Sequence, residues 1–253
     1  MDDTHLILPR LPEKLEKLHK EEERIWTESL LAINSEYTFL EHMDMIHVAL
    51  DAIYVFTKMD VNRTDDDVTI QLLGLRLFNS SSSALALMLA GYYQSSVTLL
   101  RDILETGFLI DYLTFDQSKI KDWKLSNEKN QRRFSPSAIR KALNARDKVM
   151  GDKRNEIYKL MCGYAAHPTY TGFRFVTPST QEVKIGPFFK DIFLKTTIEE
   201  LVKRLAPFVL MYISYFSRLP PGPLSMNSEF WKTFEHWADK YLNIKIGKVD
   251  LGE

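Results

Sequence analysis

Residues 92–115 read YYQSSVTLLRDILETGFLIDYLTF, and this stretch decides the fold. Val97, Leu99, Leu100, Ile103, Leu104, Phe108, Leu109, Ile110, Tyr112 and Leu113 fall almost all the way round a spiral of 3.6 residues per turn, so a helix here offers water no apolar-free face. Such a helix belongs at the centre of a bundle, and its sequence neighbours must supply the walls.

Working towards the N-terminus, Gly91 separates this helix from one that starts at Thr64. That hydroxyl can accept backbone hydrogens, while Asp65, Asp66 and Asp67 complement the positive end of a helix. The helix runs through Leu72, Leu75 and Phe78 to Leu89. Its four serines, residues 80–83, predict close approach of a neighbouring backbone rather than a linker. Further upstream, Pro12 suits a first turn, and Leu15, Leu18, Ile25, Leu30 and Ile33 trace a highly charged helix. Phe39, Leu40, Met43, Ile46, His47, Leu50 and Tyr54 follow at spacings of three and four, with no strong breaker between the two patterns.

Towards the C-terminus, residues 119–129 are polar and irregular or short-helical. Ser135-Pro136 caps a helix to about Asp147, and after Gly151 another reaches about Ala166. Proline disfavours a helical conformation in the residue before it, so His167-Pro168 ends that helix. Residues 173–177 and 183–185 flank Pro178-Ser179-Thr180 and predict a small β-hairpin or extended flap near residues 172–186. A long helix over 188–217 contains Pro207, which predicts a kink. Pro220-Pro221-Gly222-Pro223 reads as a stiff linker before an amphipathic helix, 228–241, with Trp231, Phe234 and Trp237 on one side. The expected fold is all-α: a multi-helix bundle in one domain over 1–219, with N-terminal helices 12–59 and a core 65–218. Residues 220–253 are expected as linker and C-terminal helix packed on the bundle.

With 45% apolar residues in 253, there is material for a core without disulfides or metals. The single Cys162 has no internal partner, the N-terminus shows no basic-then-apolar export segment, and the longest apolar runs, 84–93 and 205–216, fall short of the roughly 20 residues that span a bilayer. A cytoplasmic protein with no membrane crossing is expected. Glycine-rich phosphate loops, nucleophile elbows and cysteine zinc patterns do not occur, which excludes the common nucleotide and hydrolase classes, and no cofactor is expected.

Net charge is −1, but its distribution is uneven. Residues 1–51 hold 12 acids against 5 Lys/Arg, and residues 118–160 hold 13 Lys/Arg against 5 acids. The basic stretch includes Lys129, Arg132, Arg133, Arg140, Lys141, Arg146 and Lys148, with Trp123 and Phe134 nearby as rings on which bases can stack. It faces either RNA or another anionic partner, or the acidic N-terminal helices.

Four residues form the candidate catalytic set: Arg101, Glu105, Tyr164 and His167. Arg101 and Glu105 lie four apart on a stripe with Val97, Phe108 and Tyr112, so both charges project into packed surroundings and must find partners. The pair either fixes helix register or also serves a ligand. Tyr164 and His167 sit three apart at a helix end among small residues, where the helix dipole favours imidazolium; His167 is either an acid/base or a capping histidine, and Tyr164 would orient it. Asp44, His47 and Asp51 share a face, but the second acid-x-x-His motif of a dimetal bundle is missing, so a solvated stripe is expected rather than a metal site. Cys162 reads as core, since His167 is five residues away on the same element.

The run Leu99-Leu100-Arg101-Asp102-Ile103-Leu104-Glu105, followed some sixty residues later by Tyr164-Ala165-Ala166-His167-Pro168-Thr169, resembles an uncharacterised bacterial helical family placed near the HEPN-like superfamily. The similarity covers roughly residues 70–175. It implies a helical bundle, a homodimer, and RNA binding or metal-independent RNA cleavage in a toxin or phage-defence setting. One departure stands against cleavage. Active HEPN ribonucleases carry an Arg followed four to six residues later by His on one helix, whereas here Arg154 is thirteen residues before His167, so Arg101 and His167 would have to act from separate helices. The alternatives are a non-catalytic dimeric interaction module and, more weakly, a metal-binding bundle enzyme.

Overall fold

The computed structural model of the chain describes residues 11–59, 63–127, 131–148, 152–166, 169–170, 172–179, 184–216 and 224–244. Helix α1 (Glu13–Asn34) begins after Pro12 with Glu13 and Glu16 in its first turn, and it buries only Ile25, Ser29 and Ile33. It is a peripheral helix laced by its own ion pairs, Glu13 with Lys17, Glu16 with Lys20, and Arg24 with Glu21 and Glu28. A break at Ser35-Glu36 separates it from α2 (Tyr37–Lys58). Helix α3 (Asp65–Leu89) opens with the Thr64 cap the sequence predicts, closed into a capping box: Thr64 Oγ1 accepts from the Asp67 N–H, and the Asp67 carboxylate accepts from the Thr64 N–H.

Gly91, at φ +85°, turns the chain from α3 into α4 (Tyr93–Phe115); a Cβ there would come within 2.6 Å of the Phe188 carbonyl oxygen. The serine tract is a packing seam. Ser81 is fully buried, Ser80 donates to Asp102 of α4, and Ser96 of α4 donates to the Ala84 carbonyl at 2.9 Å. As its all-round apolarity predicts, α4 is central. It packs against α3, against α8 (Asp191–Phe216), and on its remaining side against α6 (Pro136–Arg146) and α7 (Lys153–Met161). Leu100, Ile103, Ile110 and Leu113 are wholly enclosed. The short α5 (Ser118–Lys124) and a 3₁₀ turn, Gln131–Phe134, connect α4 to α6.

Helix α8 continues through Pro207 and lays large rings into sockets on its neighbours. Phe208 enters where α4 has Gly107, edge-on to Phe108 at 5.4 Å, and Tyr212 enters where α3 has Gly74, its hydroxyl 2.8 Å from Thr57 Oγ1. The last helix, α9 (Leu224–Leu242), lies on α2, with Phe230, Phe234 and Trp237 buried.

The expected hairpin is a correction. Residues Gly172–Phe175 form a 3₁₀ turn, and among the described residues there is no strand. The reason is local. Thr169 Oγ1 accepts from the Gly172 N–H at 3.0 Å and donates to the Gly163 carbonyl, closing a turn, and Phe175 stacks on Phe193 at 5.2 Å. Of the second arm, residues 181–183 lie outside the described residues.

By length and hydropathy α3 is the one described helix that is long and apolar enough to cross a membrane. It packs on α2, α4 and α8, which enclose Ile70, Leu77, Ala84 and Met88, while Leu72 and Leu75 stay exposed.

The α2–α9 contact predicts a pH dependence. Buried His42 accepts from Trp237 Nε1 at Nδ1, 3.0 Å away, with Tyr241 edge-on at 4.5 Å. Burial pushes the imidazole below its ordinary value; the charges of Glu199 and Glu41 oppose this, while those of Lys203 and Lys240 add to it. The folded protein thus binds this proton less readily than the unfolded chain, whose histidine titrates near 6.5. Stability is complete above about pH 6.5 and falls as the pH drops below it. Urea unfolding followed by tryptophan fluorescence should show this slope, and His42→Gln, which keeps an acceptor for Trp237 but does not titrate, should remove it.

Candidate functional site

Helix α4 presents Arg101 and Glu105 one turn apart, and they pair as their spacing requires: Arg101 Nε and Nη2 donate to Glu105 Oε1 at 3.1 and 2.9 Å. The third member comes from α7. Tyr158 donates its hydroxyl to the same Oε1 at 2.8 Å, and the Arg101 guanidinium lies 5.4 Å from the Tyr158 ring centroid. From α6, the Arg140 guanidinium covers that ring at 3.7 Å. Two guanidinium groups and one carboxylate therefore meet on one tyrosine, leaving a net charge of +1.

Arg140 is only 6% exposed, its Nη2 reaches Asn155 Oδ1 at 3.4 Å, and its Nε and Nη1 have no hydrogen-bond partner among the described residues. A buried guanidinium costs several kcal/mol unless compensated. The compensation here is the Tyr158 face, worth about 2 kcal/mol when desolvated, and that face is enriched by a hydroxyl that donates to a carboxylate. Burial first, and the Glu105 hydrogen bond second, push the Tyr158 hydroxyl up. Desolvation works against the charge of Arg101, but Glu105 and Tyr158 together outweigh it and raise this group. The cluster supplies fixed charge and ties α4, α6 and α7 together, and its hydroxyl, that of Tyr158, is engaged by the Glu105 carboxylate.

Tyr164, in the π-helical turn Cys162–Ala166 that lies against α4, is partly buried and edge-on to Phe175 at 5.2 Å. His167 lies outside the described residues, as does Lys129. Tyr158 is the residue the sequence reading missed. Its signal was its position on the same predicted helix as Tyr164, six residues earlier and so on a different face.

The basic stretch separates into two kinds of residue. Arg140 is buried in the cluster. Arg146 and Arg154 are committed to Asp111 and Asp147, and together they hold the Asp147 carboxyl down at about 2, Arg146 contributing most. Arg132, Arg133 and Lys141 are exposed and form no ion pair among the described residues. Beside them is a cleft of about 270 Å³ lined by Tyr112, Lys119, Asp122, Leu125, Arg133 and Phe134. Trp123 instead lines a groove of about 860 Å³ between α3 and α4, with Leu72, Leu75, Arg76, Leu99, Asp102 and Glu105 among its walls. Asp44 and His47 are exposed, and the described residues contain no group of three or more His, Cys, Asp or Glu that could hold a metal ion.

Against protein-family models, curated proteins and solved structures, the chain has no significant match. The class this architecture defines is an all-α multi-helix bundle, and its role has to be argued from its own surface.

Proposed function

We propose that this bundle binds single-stranded RNA on the exposed face formed by the 3₁₀ turn and α6, as a cytoplasmic protein of HEPN-like kind. The observation that carries the reading is the separation of charge. Arg132, Arg133 and Lys141 are exposed without acidic partners among the described residues, whereas α1 spends most of its acids on its own bases and packs on α2, α3 and α8. The acidic N-terminal helix is therefore no counter-ion for the basic segment, and an anionic polymer is the partner that fits. Aromatic rings beside the cations favour single strands, whose bases are free to stack. A toxin or defence role follows only from the HEPN-like resemblance. Cleavage of the kind the resemblance implies would need His167 beside Arg101, and His167 lies outside the described residues, so the proposal is one of binding.

Fluorescence anisotropy with a labelled single-stranded RNA of about 20 nucleotides tests it. The combined Arg132→Ala, Arg133→Ala, Lys141→Ala variant should bind at least roughly tenfold more weakly at low salt, because three phosphate contacts are lost. Equal affinity in variant and wild type contradicts the reading, and shortening of the RNA during the titration would add cleavage to it.

A second reading, a non-catalytic module that pairs with its own copy, is favoured by the groove between α3 and α4. Leu72 and Leu75 stand exposed there, and only 44% of the apolar window of α3 is buried. Sedimentation separates the two readings: a stable dimer that does not bind RNA favours the second.

A further inference from the structure

We infer that the cleft between the end of α4, α5 and the 3₁₀ turn receives one unstacked base of the strand, and that it selects bases bearing an exocyclic amine. This rests on the RNA-binding reading above and assigns the base, as distinct from the phosphate, its place.

The walls decide what enters. Tyr112 from α4 and Phe134 from the 3₁₀ turn meet edge to face, with centroids 6.3 Å apart and planes at 76°, so they make a corner of two aromatic surfaces. Leu125, which follows α5 and is 69% exposed, adds an apolar surface that packs against little of the bundle. The volume, about 270 Å³, falls just below the range of small-molecule pockets and suits one base, not a run of nucleotides.

Charge then sets the orientation. Lys119 is the cation deepest in the lining, but it is held by Asp116 at 2.7 Å and lies over the Tyr112 ring at 4.6 Å, so it is already neutralised. Asp122 also lines the cleft and has neither ion pair nor hydrogen-bond partner among the described residues. A phosphate would meet that carboxylate unfavourably. A base would not, because the carboxylate accepts hydrogens from an exocyclic amine as it does from cytosine N4. The base therefore enters and its phosphate stays outside, where Arg133 at the rim and Arg132 beside it supply the positive charge. Cytosine, adenine and guanine carry such an amine, whereas uracil presents a carbonyl oxygen at the matching position of its ring and is disfavoured by Asp122.

Anisotropy with labelled ten-nucleotide oligo(C), oligo(A) and oligo(U) at one low salt concentration tests the assignment. Wild type should bind oligo(C) and oligo(A) about tenfold more tightly than oligo(U). Asp122→Asn, on an exposed helix face, should close that gap, since an amide can donate to the uracil carbonyl. Phe134→Ala should weaken all three about tenfold through lost stacking while leaving the salt slope unchanged; circular dichroism establishes that it folds, and Asp122→Asn carries the test alone if it does not. Salt-sensitive binding that ignores base identity and is indifferent to Asp122→Asn overturns the cleft assignment and leaves the basic face intact. Failure of all three oligonucleotides to bind overturns both.

Discussion

Gly107→Ala should destabilise the protein by about 2 kcal/mol, opposite in sign to what helix propensity alone predicts. Gly107 lies in the interior of α4, where exchange for alanine ordinarily gains about 1 kcal/mol. In this bundle a Cβ on Gly107 would overlap the ring of Phe208, which α8 places directly against the α4 backbone. Phe208 is buried and edge-on to Phe108, so any shift of its ring disturbs that contact as well. Overpacking of this sort costs typically 1–3 kcal/mol and more when a ring meets backbone, so sterics win over propensity. Urea unfolding of the variant measures the loss. Adding Phe208→Ala removes the ring the new methyl strikes, so the two substitutions together should cost clearly less than the sum of each alone. A neutral or stabilising Gly107→Ala contradicts this packing.

Asp111→Ala should cost about 3 kcal/mol. Asp111 is buried in α4, and Arg146 at the end of α6 donates Nη1 to its Oδ1 at 2.6 Å and Nη2 to its Oδ2 at 3.0 Å. Breaking a buried pair by removing one partner costs about 3–5 kcal/mol because the other charge is stranded. The lower figure applies here, since Arg146 keeps Asp147 as a partner and its side chain is 22% exposed. Asp111→Asn preserves the shape and isolates the charge, and it should recover part of the loss. A change below about 0.5 kcal/mol in chemical denaturation would show that the pair merely decorates the α4–α6 contact.

Much of this bundle was legible because its signals are local. The all-round apolarity of residues 92–115 places α4 at the centre, Thr64 and the three following aspartates announce the start of α3, and the serine tract announces the α3–α4 seam. The glycine sockets were less visible, though the hint existed: a glycine inside a helix weakens it and asks for a reason. Only the register of α8, set by tertiary packing, shows that the reasons are Phe208 and Tyr212. The false hairpin had the same origin. Phe173 and Phe175 alternate as strand residues do, but a threonine hydroxyl four positions upstream of Phe173 and a ring on α8 close the segment into a turn.

At the candidate site, the pairing of Arg101 with Glu105 follows from their spacing alone, because residues four apart on a helix are neighbours. The entry of Tyr158 and Arg140 does not follow from spacing. It depends on how α6 and α7 dock on α4, and it converts Arg140 from an expected surface contact into a buried one. Lys141 keeps its exposure because α6 buries Ile139 and Leu143 on the opposite face, and the 3₁₀ turn that carries Arg132 and Arg133 buries none of its residues.

The most direct measurement is the dependence of single-stranded RNA affinity on salt, taken for the wild type and for the variant lacking Arg132, Arg133 and Lys141. A plot of log affinity against log salt should be steep for the wild type and shallower by about two for the variant, since each lost phosphate contact on a single strand removes about 0.7 from the slope. Identical slopes, or binding that salt does not alter, would contradict an RNA-binding basic face.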